Sequence, residues 1–328
     1  MANNVWIFAE TRGKALHPVA VELLTPARTL ADRRGGTVTA LACGVENETV
    51  GQDLIVHGAD RVFIFPDLSF SRLPPESIAR TLALFIRAED PETVLFGATS
   101  LARDLAPRLA TILNTGVMAD CLTLDLTAEN QALVGTKPVP GGNLMATILC
   151  PRHRPQVATL LPGMYEPRPP DTGRSGEVLL KDTPVGTRDA KVRMVGEEGK
   201  KKSASALEDA QIVVAGGMGM ETRQNFRLVE ELAMVLGGTV GATRPVVEEG
   251  WVSPDHMIGQ SGKIIHPRLY IAVGIYGSIY HTIGIQRAQT VVAINTDPYA
   301  PIFCFAQYAI VGDAKKILPA LIDRFRKR

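Results

Sequence analysis

The sequence is short of cysteine and of aromatic residues. Its four cysteines, Cys43, Cys121, Cys150 and Cys304, form no CxxC pair, and only 5% of its 328 residues are aromatic. Each cysteine lies in or beside an apolar run, which favours buried free thiols over a disulfide or a metal site. The six histidines show no HxxxH or HExxH spacing, so a zinc or iron site is not expected.

Long apolar runs and an excess of charge of one sign are also absent. No run approaches the ~20 apolar residues that a transmembrane helix needs, so direct membrane insertion is not expected. With 35 basic and 34 acidic residues, the charge balance does not favour nucleic acid or an anionic membrane as a partner. The first ten residues, MANNVWIFAE, enter a predicted strand almost at once and leave no room for a targeting signal. A cytoplasmic location is therefore the expectation.

The first part of the chain alternates buried strands with helical patterns. The predicted strands are 5–9, 37–43, 61–65 and 93–96, and the predicted helices are 19–34, 49–57, 75–87 and 101–113. This alternation indicates a parallel sheet with right-handed crossovers, although the GxGxxG fingerprint of the common dinucleotide fold is missing after the first strand. Pro75 suits the first turn of its helix, whereas Pro26 lies inside a helical pattern and should kink or split it.

The alternation of strands and helices ends after residue 120. Short strands without helices are predicted over 121–126, 132–139, 144–150 and 156–161, with glycine and proline turns at Gly135 and 140–143. They indicate a small β extension on the first domain. Residues 162–208 are rich in proline, glycine and charge, so we expect an extended arm there. The predicted division is a first domain over 1–195, a linker over 196–206 and a second domain over 207–328.

The second domain contains short apolar strands that each end in small or polar residues. A strand over 211–215, a glycine-rich turn around Met218 and a helix over 222–236 come first. This arrangement offers a helix N-terminus to a phosphate, but tight glycine turns also serve packing. Three further strands are predicted over 269–273, 290–294 and 308–311. We therefore expect two doubly wound parallel α/β domains, with a cofactor pocket at the carboxyl ends of the second set of strands.

Two sequence features could supply the chemistry of that pocket. The loop 259–263 reads GQSGK, in which glycines allow close backbone approach and the other side chains offer hydrogen bonds and a charge. His281 is predicted in the first turn of a helix, where a structural role and a ligand contact are equally consistent with its position. Asp313 is expected to cap the final helix over 313–326.

At this point the sequence resembles a known family. The segments GATRPVVEEGW, IGQSGKIIHPRLYIAVGI, VVAINTDPYAPIF and YAIVGD are similar to the carboxy-terminal FAD-binding domain of electron transfer flavoprotein alpha subunits, in the same order and spacing. The first half is similar too, in VWIFAE, ARDLAPRLA, GGNLMATI and RPQVATLLPGMYE. The resemblance covers nearly the whole chain and is poorest in the linker.

The resemblance implies a bound FAD and an electron transfer flavoprotein beta subunit as partner. It places Arg244 close to the isoalloxazine, with Thr243 beside it, Ser261 near the reactive edge of the flavin and His281 opposite its pyrimidine carbonyl. It places two residues, Asn295 and Asp313, on the ribose and adenosine side. The rest of the matched GQSGK loop is Gln260, Gly262 and Lys263.

Three positions depart from the family. Met218 stands where an arginine is usual, and the segment SGAIQH becomes YGSIYH over 276–281, so that Tyr276 and Tyr280 replace a serine and a glutamine beside Gly277 and Ser278. Loss of a cation near a flavin should lower its reduction potential. The two tyrosines can stack on the cofactor or rearrange its polyphosphate contacts.

The family implies an electron carrier that serves a dehydrogenase, of the acyl-CoA dehydrogenase type or a related flavin enzyme. Two alternatives stay open from the sequence. One is a subunit of an NADH-oxidising, electron-bifurcating flavoprotein complex, and the other is a flavin-free nucleotide-binding or scaffold subunit. A flavin spectrum of the purified complex would exclude the flavin-free subunit. Reduction of that flavin by NADH would distinguish the electron-bifurcating complex from the electron carrier.

Overall fold

The computed structural model describes residues 2–13, 15–45, 48–70, 73–129, 131–139, 144–181, 192, 195 and 207–327. These residues divide into two compact units, one before and one after residue 200. The turn predicted at 140–143 and the linker predicted at 196–206 lie outside the described residues. The domain boundaries at 195 and 207 therefore stay predictions, and each unit is taken by itself below.

The first unit contains a large parallel sheet. The strands of this unit are β1 (Ala2–Ala9), β2 (Thr11–Arg12), β3 (Ala15–Leu16), β4 (Val38–Cys43), β5 (Arg61–Phe65), β6 (Pro91–Gly97), β7 (Val117–Cys121), β8 (Thr123–Leu126), β9 (Leu133–Pro138), β10 (Met145–Leu149), β11 (Gln156–Leu160) and β12 (Glu177–Leu180). Its helices are α1 (Pro18–Arg34), α2 (Glu48–Val56), α3 (Pro75–Glu89) and α4 (Ser100–Leu113). Seven strands form the parallel sheet in the order β12-β5-β4-β1-β6-β11-β7.

The strand and helix alternation predicted for the first part of the chain is confirmed. All six residues of β4 are buried, as expected of a central strand covered on both faces. The helix α3 begins at Pro75, as predicted. Pro26 is expected to kink or split its helix, and the split is wrong, because α1 continues through it. Leu23, Leu24 and Ala27 around the proline are buried against the sheet, and this packing outweighs the loss of one backbone hydrogen bond.

The predicted β extension is confirmed for three of its four strands. The strands β8, β9 and β10 form a separate antiparallel sheet. The fourth, β11, instead lies between β6 and β7 in the main sheet, where all five of its residues are buried. The arm predicted over 162–208 also needs correction, because it contains β12, which pairs with β5 at the sheet edge.

The second unit is a smaller parallel sheet with its own cores. Its strands are β13 (Ile212–Gly216), β14 (Thr239–Ala242), β15 (Leu269–Val273), β16 (Thr290–Asn295) and β17 (Tyr308–Val311), and its helices are α5 (Arg223–Val235), α6 (Arg244–Glu248), α7 (Ile279–Thr282) and α8 (Ala314–Arg326). The order is β14-β13-β15-β16-β17, with every neighbouring pair parallel. The expected α/β class with parallel sheets is confirmed in both units.

This strand order places a topological switch point beside β13. The chain runs from β13 to β14 on one side and then crosses to β15 on the other. Ligands of such sheets bind in the crevice outside the carboxyl ends of the strands at that point. The helices α5 and α8 cover one face through Phe226, Leu232 and Leu318, whereas mostly irregular segments that carry Ile258 and Ile302 cover the other.

Two expectations concern the state of the cysteines and the ability of the helices to span a membrane. All four cysteines are free, and Cys43 and Cys121 are buried. Cys304 is exposed, so its expected burial is wrong. The apolar run around it forms a short 3-10 helix, Pro301–Phe305, that buries only Ile302. Of the helices within the described residues, none combines the length and the apolar character needed to cross a bilayer.

Candidate functional site

The candidate site lies along the carboxyl edge of the second unit's sheet. Met218 follows β13, Thr243 follows β14, His281 follows β15, Asn295 ends β16 and Asp313 follows β17. Because all five strands are parallel, their carboxyl ends meet at one edge. The fold therefore gathers these residues, which are far apart in sequence, along a single rim.

The glycine-rich turn after β13 is tied to the turn after β15. Gly217 N donates to Val273 O at 2.9 Å, and Gly219 N donates to Gly274 O at 2.9 Å. Two further amides of the turn are also used within it, because Met220 N donates to Gly217 O and Glu221 N donates to Met218 O. Most of these N–H groups are thus satisfied by the protein itself, which favours the packing explanation of the glycines over a phosphate cradle. Met218 is 42% exposed on this turn.

The GQSGK loop is closed on itself and held against the segment after β15. Gly259 N donates to Lys263 O at 3.0 Å, Lys263 N donates to Met257 O at 2.8 Å, and Gln260 N donates to Tyr280 O at 2.8 Å. Among the described residues, the Ser261 N–H is the amide of this loop that has no backbone partner. Ser261 and Gly262 are exposed. The loop can therefore offer a ligand its side chains and one N–H, rather than a nest of amides.

Thr243 and Arg244 stand at the end of β14. Thr243 N donates to Gly216 O at 3.1 Å, which fixes the start of α6 beside the switch point. Arg244 is exposed, and its Nε lies 2.7 Å from Glu248 Oε1, one helical turn away. An exposed pair of this kind contributes only ~0–1 kcal/mol, so a bound anion can compete for the guanidinium.

His281 is buried and uses both ring nitrogens within the chain. Its Nδ1 lies 3.2 Å from the Ile258 carbonyl oxygen, and its Nε2 lies 2.7 Å from the Tyr270 hydroxyl. Because a carbonyl oxygen can only accept, Nδ1 carries the proton and Nε2 accepts the Tyr270 O–H. Burial lowers the pKa of His281 to about 4, with the Ile258 contact acting in the opposite direction. The ring is therefore neutral near pH 7.

We expect this buried histidine to make the second unit acid-sensitive. The unfolded chain binds the proton near pH 6.5, whereas the folded chain binds it only near pH 4. The unfolded state thus holds more protons between these values, so stability falls as pH falls through that window. The loss approaches about 3 kcal/mol at pH 4. Urea titrations of wild type and His281→Gln at pH 7 and pH 4.5 should show a smaller acid loss in the variant, and equal losses would contradict this assignment.

The segment 276–281 contains the one orphaned hydroxyl of the candidate site. Tyr276 is exposed, Gly277 is buried, and Ser278 caps α7 with its carbonyl, which accepts the His281 N–H at 2.9 Å. The Tyr280 hydroxyl is buried and has no hydrogen-bond partner among the described residues. A buried polar group without a partner costs ~1–3 kcal/mol, so such groups in native proteins usually meet a ligand, a water or another chain.

Asn295 and Asp313 line an open cleft of about 130 Å³. Asn295 Nδ2 donates to Ile275 O at 2.9 Å, which fixes the side chain across the loop after β15. Asp313 Oδ1 accepts the Lys315 N–H at 2.9 Å, so the predicted N-cap of α8 is confirmed. The remaining walls are Gly219, Glu221, Gly274, Ile294, Thr296, Gly312, Ala314 and Lys315.

Two of these cleft residues, Glu221 and Lys315, were not predicted from the sequence. They come together only in the fold, because Lys315 Nζ lies 2.9 Å from both carboxylate oxygens of a residue 94 positions away. Met218, which was predicted, is near in sequence but is not part of the cleft wall. Within the described residues, no cluster of three or more His, Cys, Asp or Glu could hold a metal ion.

The residues present fit a nucleotide. The acceptors Asn295 and Asp313 in the cleft suit the hydroxyls of a nucleoside. The orphaned Tyr280 hydroxyl and the exposed Ser261 add further hydrogen-bonding groups along the same rim. A crevice at a switch point with a few convergent polar groups is the usual place for a nucleotide cofactor in this fold class.

Comparison with known proteins identifies the family. Residues 5–183 match the electron transfer flavoprotein domain, and residues 206–286 match the electron transfer flavoprotein FAD-binding domain. The chain is 44% identical over 324 residues to the electron transfer flavoprotein subunit alpha of Thermoanaerobacterium thermosaccharolyticum, covering 99% of this chain and 98% of that protein.

Two further relatives match over similar lengths. Protein FixB of Clostridium saccharobutylicum is 42% identical, covering 99% of this chain and 96% of the relative. The electron transfer flavoprotein subunit alpha of Clostridium acetobutylicum is 39% identical, covering 98% of this chain and 97% of the relative. The chain belongs to the electron transfer flavoprotein alpha-subunit family.

Proposed function

We propose that this chain binds FAD at the carboxyl edge of its second unit and pairs with an electron transfer flavoprotein beta subunit. The heterodimer would accept electrons from a dehydrogenase, of the acyl-CoA dehydrogenase type or a related flavin enzyme, and pass them to an acceptor. The observation that carries the proposal is the cleft walled by Asn295 and Asp313 at the edge where the sheet has its switch point. The FAD-binding family match over 206–286 supports it.

The two ends of the cofactor would meet different residues. Asn295 and Asp313 would hold the nucleoside end in the cleft. Residues on the loops that follow β13, β14 and β15 would hold the flavin end and the polyphosphate, and these are Met218, Thr243, Arg244, Gln260, Ser261, Gly262, Lys263, Tyr276, Gly277, Ser278, Tyr280 and His281. Bound FAD supplies reversible electron transfer, and the chain supplies its orientation and electrostatics.

The charge around the flavin end would come chiefly from Arg244. Met218 offers no charge, and Lys263 lies near Glu208, with its Nζ 3.9 Å from a carboxylate oxygen. His281 is neutral and would add no positive charge, and both of its ring nitrogens already have partners within the chain. A flavin flanked by a single cation should have a lower reduction potential than one flanked by two.

The proposal is tested by the flavin content of the purified complex. The full chain is co-expressed with an electron transfer flavoprotein beta subunit, and the flavin is released by denaturation and identified by chromatography. We expect FAD in a fixed ratio of at least one per chain, and reduction of its absorption band by an acyl-CoA dehydrogenase with its substrate. A complex that carries no flavin, and takes up none when FAD is added, would contradict the proposal.

A further inference from the structure

An ion pair, Glu221 with Lys315, forms part of the cleft wall beside Asn295 and Asp313. Lys315 Nζ lies 2.9 Å from both Glu221 carboxylate oxygens, and the Lys315 backbone N–H donates to Asp313 Oδ1 at 2.9 Å. Lys315 is thus held at its backbone N–H by Asp313 and at its ammonium group by Glu221. The pair links the turn after β13 to the start of α8.

The backbone at Glu221 is in a conformation that glutamate rarely adopts. Its φ is +66°, in the left-handed region where a side chain costs energy and glycine does not. The conformation is fixed by a hydrogen bond from Glu221 N to Met218 O at 2.9 Å. Glycine would adopt this conformation without strain, and strained residues cluster at ligand sites, which fits a binding role for the glutamate side chain.

The chemistry of the cleft indicates what the side chain contributes. The walls carry two carboxylates, Glu221 and Asp313, the Asn295 amide and the Thr296 hydroxyl, against one cation, Lys315, which is already paired with Glu221. A cleft with this balance disfavours a phosphate and favours neutral groups that donate hydrogen bonds. The hydroxyls of a ribose are such groups. A carboxylate has about four acceptor positions, so Glu221 can bind Lys315 and still accept from a ligand.

We propose that Glu221 binds the ribose hydroxyls at the nucleoside end of the cofactor, and that Lys315 is the residue that positions it. This inference rests on the proposed binding of FAD. Glu221 discriminates an adenosine-containing flavin from one that ends at the first phosphate. Lys315 acts through Glu221, because it fixes the direction of the carboxylate rather than touching the nucleoside.

The test compares the binding of FAD and FMN to flavin-stripped heterodimer, measured by quenching of flavin fluorescence. Glu221→Gly removes the side chain and keeps the backbone conformation, so the variant should fold. We expect it to bind FAD about tenfold more weakly, the loss of a hydrogen bond to a charged group, with FMN binding unchanged. Lys315→Met should weaken FAD binding about two- to fivefold. Lys315→Arg, which keeps the ion pair, should restore it.

The neighbouring lysine provides a matched control. Lys316 is exposed on the same turn of α8 and is not part of the cleft wall, so Lys316→Met should change neither FAD nor FMN binding. Unchanged FAD binding in Glu221→Gly, or an equal loss for FAD and FMN, would overturn this inference while leaving the proposed function intact. A wild-type heterodimer that binds no FAD would overturn both.

Discussion

Gly277→Ala is expected to lower the free energy of unfolding of the second unit by about 3 kcal/mol or more. The φ of Gly277 is +92°, a region that side chains avoid. A Cβ at this position would lie 2.5 Å from Ile302 Cα and closer still to the Ile302 amide nitrogen. Both atoms belong to backbone, which cannot move aside as the end of a flexible side chain can. Urea unfolding monitored by circular dichroism measures the loss.

Gly250→Ala is the matched control for this prediction. Gly250 also has a positive φ, +69°, but a Cβ there would meet nothing within 4 Å. Its alanine variant should therefore carry only the conformational cost, about 1 kcal/mol. The difference between the two variants isolates the collision with Ile302. Equal losses would show that the loops after β15 and β16 are not in close contact at Gly277 and Ile302.

His281→Ala is expected to cost about 3 kcal/mol of unfolding free energy. The substitution leaves a cavity where the buried ring stood, and it removes the partners of the Tyr270 hydroxyl and the Ile258 carbonyl together. Tyr270→Phe is the matched control, because it removes only the hydroxyl and should cost about 1 kcal/mol. Equal, small losses in the two variants would show that the ring packs more loosely than its burial indicates.

The same two variants separate the structural role of His281 from a flavin role. If the ring also faces the flavin, as the family resemblance implies, His281→Ala lowers the reduction potential of the bound cofactor. Tyr270→Phe leaves the ring in place and should leave that potential unchanged. A spectroelectrochemical titration of the two heterodimers measures it, and equal potentials would leave His281 with its structural role alone.

The sequence was sufficient for those elements that local pattern decides. Buried strands such as β4 and β15 are almost wholly apolar, and Asp313 caps α8 through atoms two residues apart. The strand β11 could not be placed, because its pattern resembles that of the hairpin strands before it. Its position depends on pairing with β6, more than 60 residues earlier. Long-range pairing of this kind leaves no local signal.

For the candidate site too, local pattern was sufficient for some features and not for others. Its loops were predicted because polar residues follow each apolar strand, and their likeness to a known family is the basis for proposing FAD as the cofactor. The ion pair between Glu221 and Lys315 was missed, because 94 residues separate its members. The two hydrogen bonds of the His281 ring could not be predicted either, since Ile258 and Tyr270 approach it from separate segments.

The most direct test of the account is to map where FAD slows hydrogen exchange. Flavin-stripped heterodimer is exchanged in deuterated buffer with and without FAD, and the alpha chain is followed by mass spectrometry. We predict slower exchange in 217–221, 259–263, 276–281, 295–297 and 312–315, the loops at the carboxyl ends of the second sheet. Slower exchange confined to the first unit, or to loops at the amino ends of these strands, would contradict it.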